Sequence, residues 1–265
     1  MPMTDDGRRP TLCIGVLTLN EERRIEGCLR SAAFADQIVV VDSGSTDRTR
    51  DIAQSLGAEV YVYDQWEGFA TQRNRLLAHV KTDYIFFLDA DEEITPELQA
   101  EIQAAIKSPT PKVWETYWQE VAFGKPIVNL MGKKSLARLF PKSYLLRFEG
   151  VVHEHAVLLN DALPRQTFKS ALLHYSRETV HDSLRKLTQY SMLGAAKRAE
   201  KGKTGGVLRG LASALPMFFR LYVLRGSFLS GGPGFLYAFF IALECFFRYA
   251  ALRYDKNRLS NTVRR

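Results

Sequence analysis

In this chain of 265 residues, acidic and small polar residues follow three short apolar runs. Thr18-Leu19-Asn20-Glu21-Glu22 closes the run that begins at Thr11. Asp42-Ser43-Gly44-Ser45-Thr46-Asp47 follows Ile38-Val39-Val40-Val41. Asp89-Ala90-Asp91-Glu92-Glu93 follows Tyr84–Leu88. If the runs are strands of a parallel sheet, their carboxyl ends form the ligand-binding edge, and carboxylates meet on one rim. A bare carboxylate cluster repels itself and calls for a cation. Asp89 and Asp91, one residue apart at a strand end, suit Mg2+ or Mn2+ with diphosphate oxygens completing the shell. Such a rim repels a phosphate without metal and holds one with it. Some of these acids have a plainer use. Asp42, Thr46 and Asp47 can cap the next helix, and Glu92-Glu93 lie near a helix start, where acids are favoured. Asp47 and Glu93 are read that way. Asp89 and Asp91 are read as functional, because Phe86-Phe87-Leu88 aims Asp89 out of a buried strand.

The elements that must position these residues alternate. Thr11–Leu19 is rich in β-formers, and Glu21–Phe34 has helical spacing at Ile25, Cys28, Leu29 and Ala32. Gln37–Val41 reads as a strand buried on both faces, because its apolar run is continuous. Thr46–Leu56 is helical and ends at Gly57. Val60–Tyr63 is a strand, Phe69–Val80 a helix and Tyr84–Leu88 a strand. Thr95-Pro96 opens a helix with a capping residue and a proline at its first position. The βαβαβαβα order predicts an α/β fold with a mostly parallel, Rossmann-like sheet and right-handed crossovers. From Val113 to Tyr175 short strand-like pieces (113–123, 135–140, 144–148, 167–174) predict a mixed or antiparallel extension.

Thr179–Glu200 is helical. After glycines 202, 205 and 206 come two apolar segments, 207–225 and 235–254, joined by Gly231-Gly232-Pro233-Gly234. A membrane span needs about 20 mostly apolar residues. Arg209, Pro216, Arg220 and Arg225 interrupt the first segment, and Glu244 and Arg248 the second. Glu244 and Arg248 stand four apart and are expected to pair on one helix face. The segments are therefore read as amphipathic helices lying flat on a membrane, forming a C-terminal extension. The division expected is a tail over 1–10, a nucleotide-binding half over 11–110, an acceptor-side half of the same domain over 111–176 and a helical extension over 177–265.

Charge supports that reading. Up to Pro164 there are 18 Lys and Arg against 24 Asp and Glu, a net of −6; from Arg165 there are 18 against 5, a net of +13. The basic part is also rich in Phe, Leu and Tyr, which suits an anionic membrane surface better than nucleic acid, so no nucleic-acid partner is expected. Cys13, Cys28 and Cys245 are an odd number at unrelated spacings and build neither a zinc pattern nor a disulfide framework. The first ten residues show no apolar stretch after a basic one, so no secretory signal is expected.

Taken together, Thr18-Leu19-Asn20-Glu21-Glu22, Val39-Val40-Val41-Asp42-Ser43-Gly44-Ser45-Thr46-Asp47-Arg48-Thr49, Gln72-Arg73-Asn74 and Phe87-Leu88-Asp89-Ala90-Asp91-Glu92 resemble the family 2 glycosyltransferases of GT-A fold. Within them, the segment Gly150-Val151-Val152-His153-Glu154-His155 and the Arg-rich aromatic tail resemble the lipopolysaccharide core β-glucosyltransferases of the WaaE/KdtX type. The resemblance implies an inverting, metal-dependent transfer of a hexose from a nucleotide-sugar, UDP-glucose, to a lipid-linked core saccharide. It implies an enzyme peripheral on the cytoplasmic face of the cell membrane. It places Thr18, Asn20, Glu21 and Ser43 around the nucleoside, and has Asp42 accept from the uracil N3–H. Arg73 is placed near the base or diphosphate, Asp89 and Ala90 near ribose or metal, and Asp91 on the metal.

An inverting displacement needs a base for the acceptor hydroxyl proton. Glu154 is the candidate, with Glu149 and Glu120 weaker. If 153–155 is extended, His153 and His155 point to one face and Glu154 to the other. One of those histidines is a candidate third metal ligand, or else a satisfied, partly buried residue. Lys133, Lys134 and Arg138, with Lys125 and Arg147, are candidates for phosphates on the acceptor. Trp66, Trp114 and Trp118 either stack on sugars or fill the core.

Other classes fit less well. Haloacid-dehalogenase phosphatases want Thr or Ser four residues after the first Asp, where Glu93 stands. No Gly-x-Gly-x-x-Gly follows the first strand, which argues against a nicotinamide dehydrogenase. A non-catalytic membrane-surface module, and a transferase of the same family acting on polyprenyl phosphate, capsule glycan or peptide, are the remaining alternatives.

Overall fold

The computed structural model describes residues 8–132, 135–150, 154–160, 162–255 and 259. The elements in the first half are β1 (Leu12–Thr18), α1 (Ile25–Ser31), β2 (Gln37–Asp42), α2 (Thr49–Ser55), β3 (Glu59–Val62), α3 (Phe69–Ala78), β4 (Tyr84–Asp89), β5 (Glu92–Glu93) and α4 (Pro96–Ala105). There follow β6 (Val113–Ala122), β7 (Lys125–Pro126), β8 (Ser135–Pro141), β9 (Leu145–Glu149), β10 (His155–Leu158), β11 (Arg165–Thr167) and β12 (Leu172–Arg177). The helices α5 (Val180–Glu200), α6 (Val207–Phe219) and α7 (Gly231–Tyr254) complete the order.

The chain divides into two compact units, Met1–Gln119 with Lys134–His174 and Glu120–Lys133 with Tyr175–Arg265. In the first, β1 is central and runs parallel to both β2 and β4, and β3 continues the parallel sheet beyond β2. Beyond β4 the direction reverses: β8 is antiparallel to β4 and β6 antiparallel to β8. The full order is β3-β2-β1-β4-β8-β6-β12-β5, and β9 and β10 form a separate hairpin sheet. The expected parallel sheet with an antiparallel extension is thus present.

The continuous apolar runs have a packing reason. Ile14, Val16, Val40, Phe86 and Leu88 face α1 and α4 in one core cluster, while Cys13, Val39, Val41, Ile85 and Phe87 face Leu76 and Leu77 of α3 in another. Successive residues point to opposite faces of a strand, so a sheet covered on both faces must be apolar at every position. Burying each such side chain contributes about 1.5–3 kcal/mol. Gly15 marks where α3 comes closest: a Cβ there would stand 2.5 Å from Leu76 Cδ2. At the start of α4, Thr95 Oγ1 accepts from Leu98 N at 3.2 Å with Pro96 inside the first turn, as the sequence predicts.

In the second unit α7 packs against α5 and α6 through small residues: Ala195, Ala196 and Ala251 in one cluster, and Ala214, Ala242 and Cys245 in another. Two expectations are corrected. Gly231-Gly232-Pro233-Gly234 is no joint but the first turn of α7. Proline is tolerated there because the first-turn amides have no intrahelical acceptor. Glu244 pairs with Arg177 rather than with Arg248. Burial of Glu244 pushes its carboxyl up, and a facing guanidinium offsets that better than one along the same helix. The stretches Val207–Leu224 and Ser227–Tyr254 are long and apolar enough to cross a membrane by length and composition.

Candidate active site

The site begins at the carboxyl ends of β1 and β2. Asn20 adopts a left-handed backbone, φ 55°, which Asn tolerates better than most residues. That turn brings its side chain back over the second loop. Asn20 Oδ1 accepts from Thr46 N at 2.8 Å, Asn20 N donates to Ser45 Oγ at 2.8 Å, and Glu21 N donates to Thr49 Oγ1 at 2.8 Å. Ser43 Oγ accepts from Gln72 Nε2 at 3.0 Å, tying the same loop to α3. The Thr18 hydroxyl is buried with no hydrogen-bond partner.

Asp42 stands differently from its expected role. Its side chain has no exposed surface. Oδ1 accepts from Gly44 N at 3.1 Å and Ser45 N at 2.8 Å, and Oδ2 accepts from the Ser45 hydroxyl. A carboxylate so enclosed shapes the loop and presents no oxygen to a uracil.

At the end of β4, three charged side chains interlock. Arg138, on β8 and only 2% exposed, donates from Nη2 to Asp89 Oδ2 at 2.9 Å and to Glu92 Oε1 at 2.7 Å. Glu92, 1% exposed, also accepts from Trp118 Nε1, and its Oε2 accepts from Asp89 N at 2.9 Å. Arg138 was expected on the acceptor-binding surface. It is instead the buried counter-ion of the β4 rim, because the buried Glu92 carboxylate requires one, and it also pairs with the half-exposed Asp89. Burial pushes the Asp89 carboxyl up, but Arg138 and Arg73 outweigh that and hold it at about 2. Burial pushes Glu92 up to about 7; Arg138 offsets part of this and the Asp89 charge adds to it.

Arg73 of α3 lies between Asp89 and Glu154. Its Nη2 is 3.8 Å from Asp89 Oδ1 and its Nε 3.5 Å from Glu154 Oε1. The guanidinium sits 5.0 Å over the Phe87 ring and 5.5 Å over that of Phe148. Asn74, next to it, pins β9 by exchanging hydrogen bonds with Phe148 N at 2.7 Å and Phe148 O at 2.9 Å. The structure thus brings Glu154 to the rim that carries Asp89.

Asp91 and His174 face each other, Oδ2 to Nε2 at 3.3 Å, each side chain 27% exposed. The pairing of β12 with β5, which sets His174 opposite Glu92, puts the imidazole there. His155 is exposed on β10 in register with Glu149, so the described histidine beside Asp91 is His174 and not His155. His153, Lys133 and Lys134 lie outside the described residues. Among the described residues no three His, Cys, Asp or Glu side chains converge as a ready metal site. The donors present, one carboxylate and one imidazole, fit a divalent ion whose remaining positions are filled by substrate phosphate oxygens and water.

The sequence reading gives His174 no site role and does not pair Arg138 with Glu92. The signal for His174 was a histidine near the end of an apolar run, which by itself says nothing of a partner 83 positions earlier. The tryptophans divide: Trp114 stacks on Phe168 with ring centroids 4.8 Å apart, Trp118 braces Glu92, and Trp66 meets Phe69 edge-on at 4.9 Å.

The family model Glycosyl transferase family 2 matches residues 13–119. An uncharacterized glycosyltransferase of Rickettsia bellii is 31% identical over 250 residues, which span 90% of this chain and 84% of that protein. The lipopolysaccharide core biosynthesis glycosyltransferase LpsC of Rhizobium meliloti is 26% identical over 249 residues, spanning 89% and 92%. Among solved structures, glucosyl-3-phosphoglycerate synthase from Mycobacterium tuberculosis, crystallised with Mn2+, UDP-glucose and phosphoglyceric acid, is 25% identical. It covers 42% of this chain and 44% of its own, with a TM-score of 0.38.

Proposed function

As a member of glycosyl transferase family 2, this chain is a glycosyltransferase, and we propose that it transfers glucose from UDP-glucose, with inversion, onto an inner-core sugar of lipopolysaccharide. The observation that carries this reading is the Arg73 guanidinium held between Asp89 and Glu154 on the rim where Asp91 faces His174. The end-to-end similarity to LpsC, a lipopolysaccharide core transferase, supports the acceptor class.

Asp91 and His174 would hold Mg2+ or Mn2+, which neutralises the charge of the leaving diphosphate when bound. Arg73 adds a fixed positive charge beside the same rim, where negative charge develops as the glycosidic bond breaks. Glu154 takes the proton of the acceptor hydroxyl as its oxygen attacks the anomeric carbon. Because Arg73 touches both carboxylates, a diphosphate that draws the guanidinium toward itself also frees Glu154 to act as base. Arg138 and Glu92 touch no substrate in this scheme; they position Asp89.

The enzyme works at the cytoplasmic membrane face as a peripheral protein. The helical stretch Val207–Leu224 is long enough to cross a membrane, but Arg209 and Arg220 stand eleven residues apart on one of its faces, which suits a helix lying in the interface. A panel of radiolabelled nucleotide-sugars, incubated with and without Mg2+ or Mn2+, tests the reading by donor hydrolysis. UDP-glucose turnover that depends on the ion is expected. Calorimetry showing equal UDP uptake with and without the ion would sink it.

A further inference from the structure

The helical unit carries a basin with no assigned use. A cavity of about 690 Å³ is lined by Gly202, Lys203, Thr204, Arg209, Ala212, Ser213 and Tyr249. Two of these residues are cations, three carry hydroxyls and none is acidic. The loop that forms its floor is held in place by the helices. Gly206 N donates to Tyr249 O at 2.8 Å, Lys203 N to Arg198 O at 3.0 Å, and Arg209 Nη1 to Thr204 O at 2.8 Å. Gly205 lies so close to α7 that a Cβ would meet Tyr249 O at 2.2 Å. A third cation, Arg198, stacks on the Tyr249 ring at 5.3 Å. The basin also opens beside the start of α6, whose cap residue Gly206 supplies no side-chain acceptor to the first-turn amides. Those amides favour an anion.

A second, independent observation says which anion. Leu208, Leu211, Leu215 and Phe219 form one stripe of α6 by the helical step, and they are 81%, 42%, 66% and 54% exposed. Arg209, Ala212 and Ser213 form the flank of the helix next to that stripe. An anion site bordered by an uncovered leucine stripe matches a lipid, whose headgroup and chains part at that boundary.

We propose that this basin binds the phosphate headgroup of an anionic lipid, with Lys203 and Arg209 on the phosphate and the α6 stripe among the acyl chains. The proposal rests on the peripheral-membrane reading above and deepens it. Flotation of the full chain tests it, using phosphatidylcholine vesicles that carry either phosphatidic acid or oleic acid at matched surface charge. The wild type is expected to prefer the phosphatidic acid vesicles about tenfold. Lys203→Ala with Arg209→Ala should abolish that preference while UDP uptake stays normal. Arg185→Ala with Lys197→Ala, an equal charge loss on α5 at residues outside the cavity lining, should keep it. A preference that survives in the basin variant, or that falls equally in the α5 variant, overturns the basin. Inorganic phosphate binding the full chain in neutral micelles as tightly as the vesicles do assigns the site to free phosphate and overturns the lipid. A wild type that binds neither vesicle refutes the peripheral-membrane reading itself.

Discussion

At the scale of single residues, the roles proposed for Glu154, His174 and Asp89 are each separated by one substitution. Removing a general base costs about 10²–10⁴-fold in turnover. Glu154→Gln should therefore lose sugar transfer on that scale while calorimetry still shows UDP binding; near-normal turnover would remove Glu154 from the role. His174→Ala should weaken ion-dependent UDP uptake by tenfold or more, and His155→Ala should leave it unchanged. Asp89 gives a pH prediction. Its pKa is lowered from 3.8 to about 2, mainly by Arg138 and Arg73 against the effect of burial. A lowered carboxylate contributes stability above its unfolded value and loses it as pH falls through the folded one. The stability difference between wild type and Asp89→Asn should thus hold above pH 4 and shrink between 3.8 and 2 in acid-unfolding curves.

At the scale of elements, the positioning of β4 by β8 matters more than the charge of either strand. Arg138→Leu leaves Glu92 buried without its counter-ion, and breaking such a buried pair costs about 3–5 kcal/mol. Urea unfolding should register that loss, while the same change at exposed Arg147, whose partner Glu149 is also exposed, should move stability by less than about 1 kcal/mol. The first turn of α7 makes a second case. A Cβ on Gly234 would stand 1.8 Å from Ser227 O, a backbone atom that cannot rotate away. Gly234→Ala should then destabilise the helical unit by at least about 1–3 kcal/mol, read as a lowered thermal midpoint, with the nucleotide rim unaffected.

At the scale of the whole molecule, the contrast between an acidic first part and a basic, aromatic tail fits the proposed division of work between sugar transfer and membrane attachment. Each Lys or Arg close to an anionic leaflet contributes about 1 kcal/mol, and that attraction is screened by salt. Leu211→Asp with Leu215→Asp should release the protein from anionic vesicles without changing donor hydrolysis. Retained vesicle binding in that variant would contradict a face-down α6.

The sequence by itself determined the parallel half of the fold, because strands buried on both faces must be continuously apolar and helices between them must repeat near every fourth residue. It also determined the rim, since Asp89, Asp91, Asp42 and Asn20 follow those strands directly. What it left open are the partners. Arg138 looks like any surface cation until β8 pairs antiparallel with β4 and buries it against Asp89 and Glu92. His174 becomes a neighbour of Asp91 only when β12 joins β5. Asp42 appears ligand-facing until its own loop closes over it. Strand ends are local and can be read along the chain. Which side chains meet across a sheet depends on non-local pairing, and that only the tertiary structure decides.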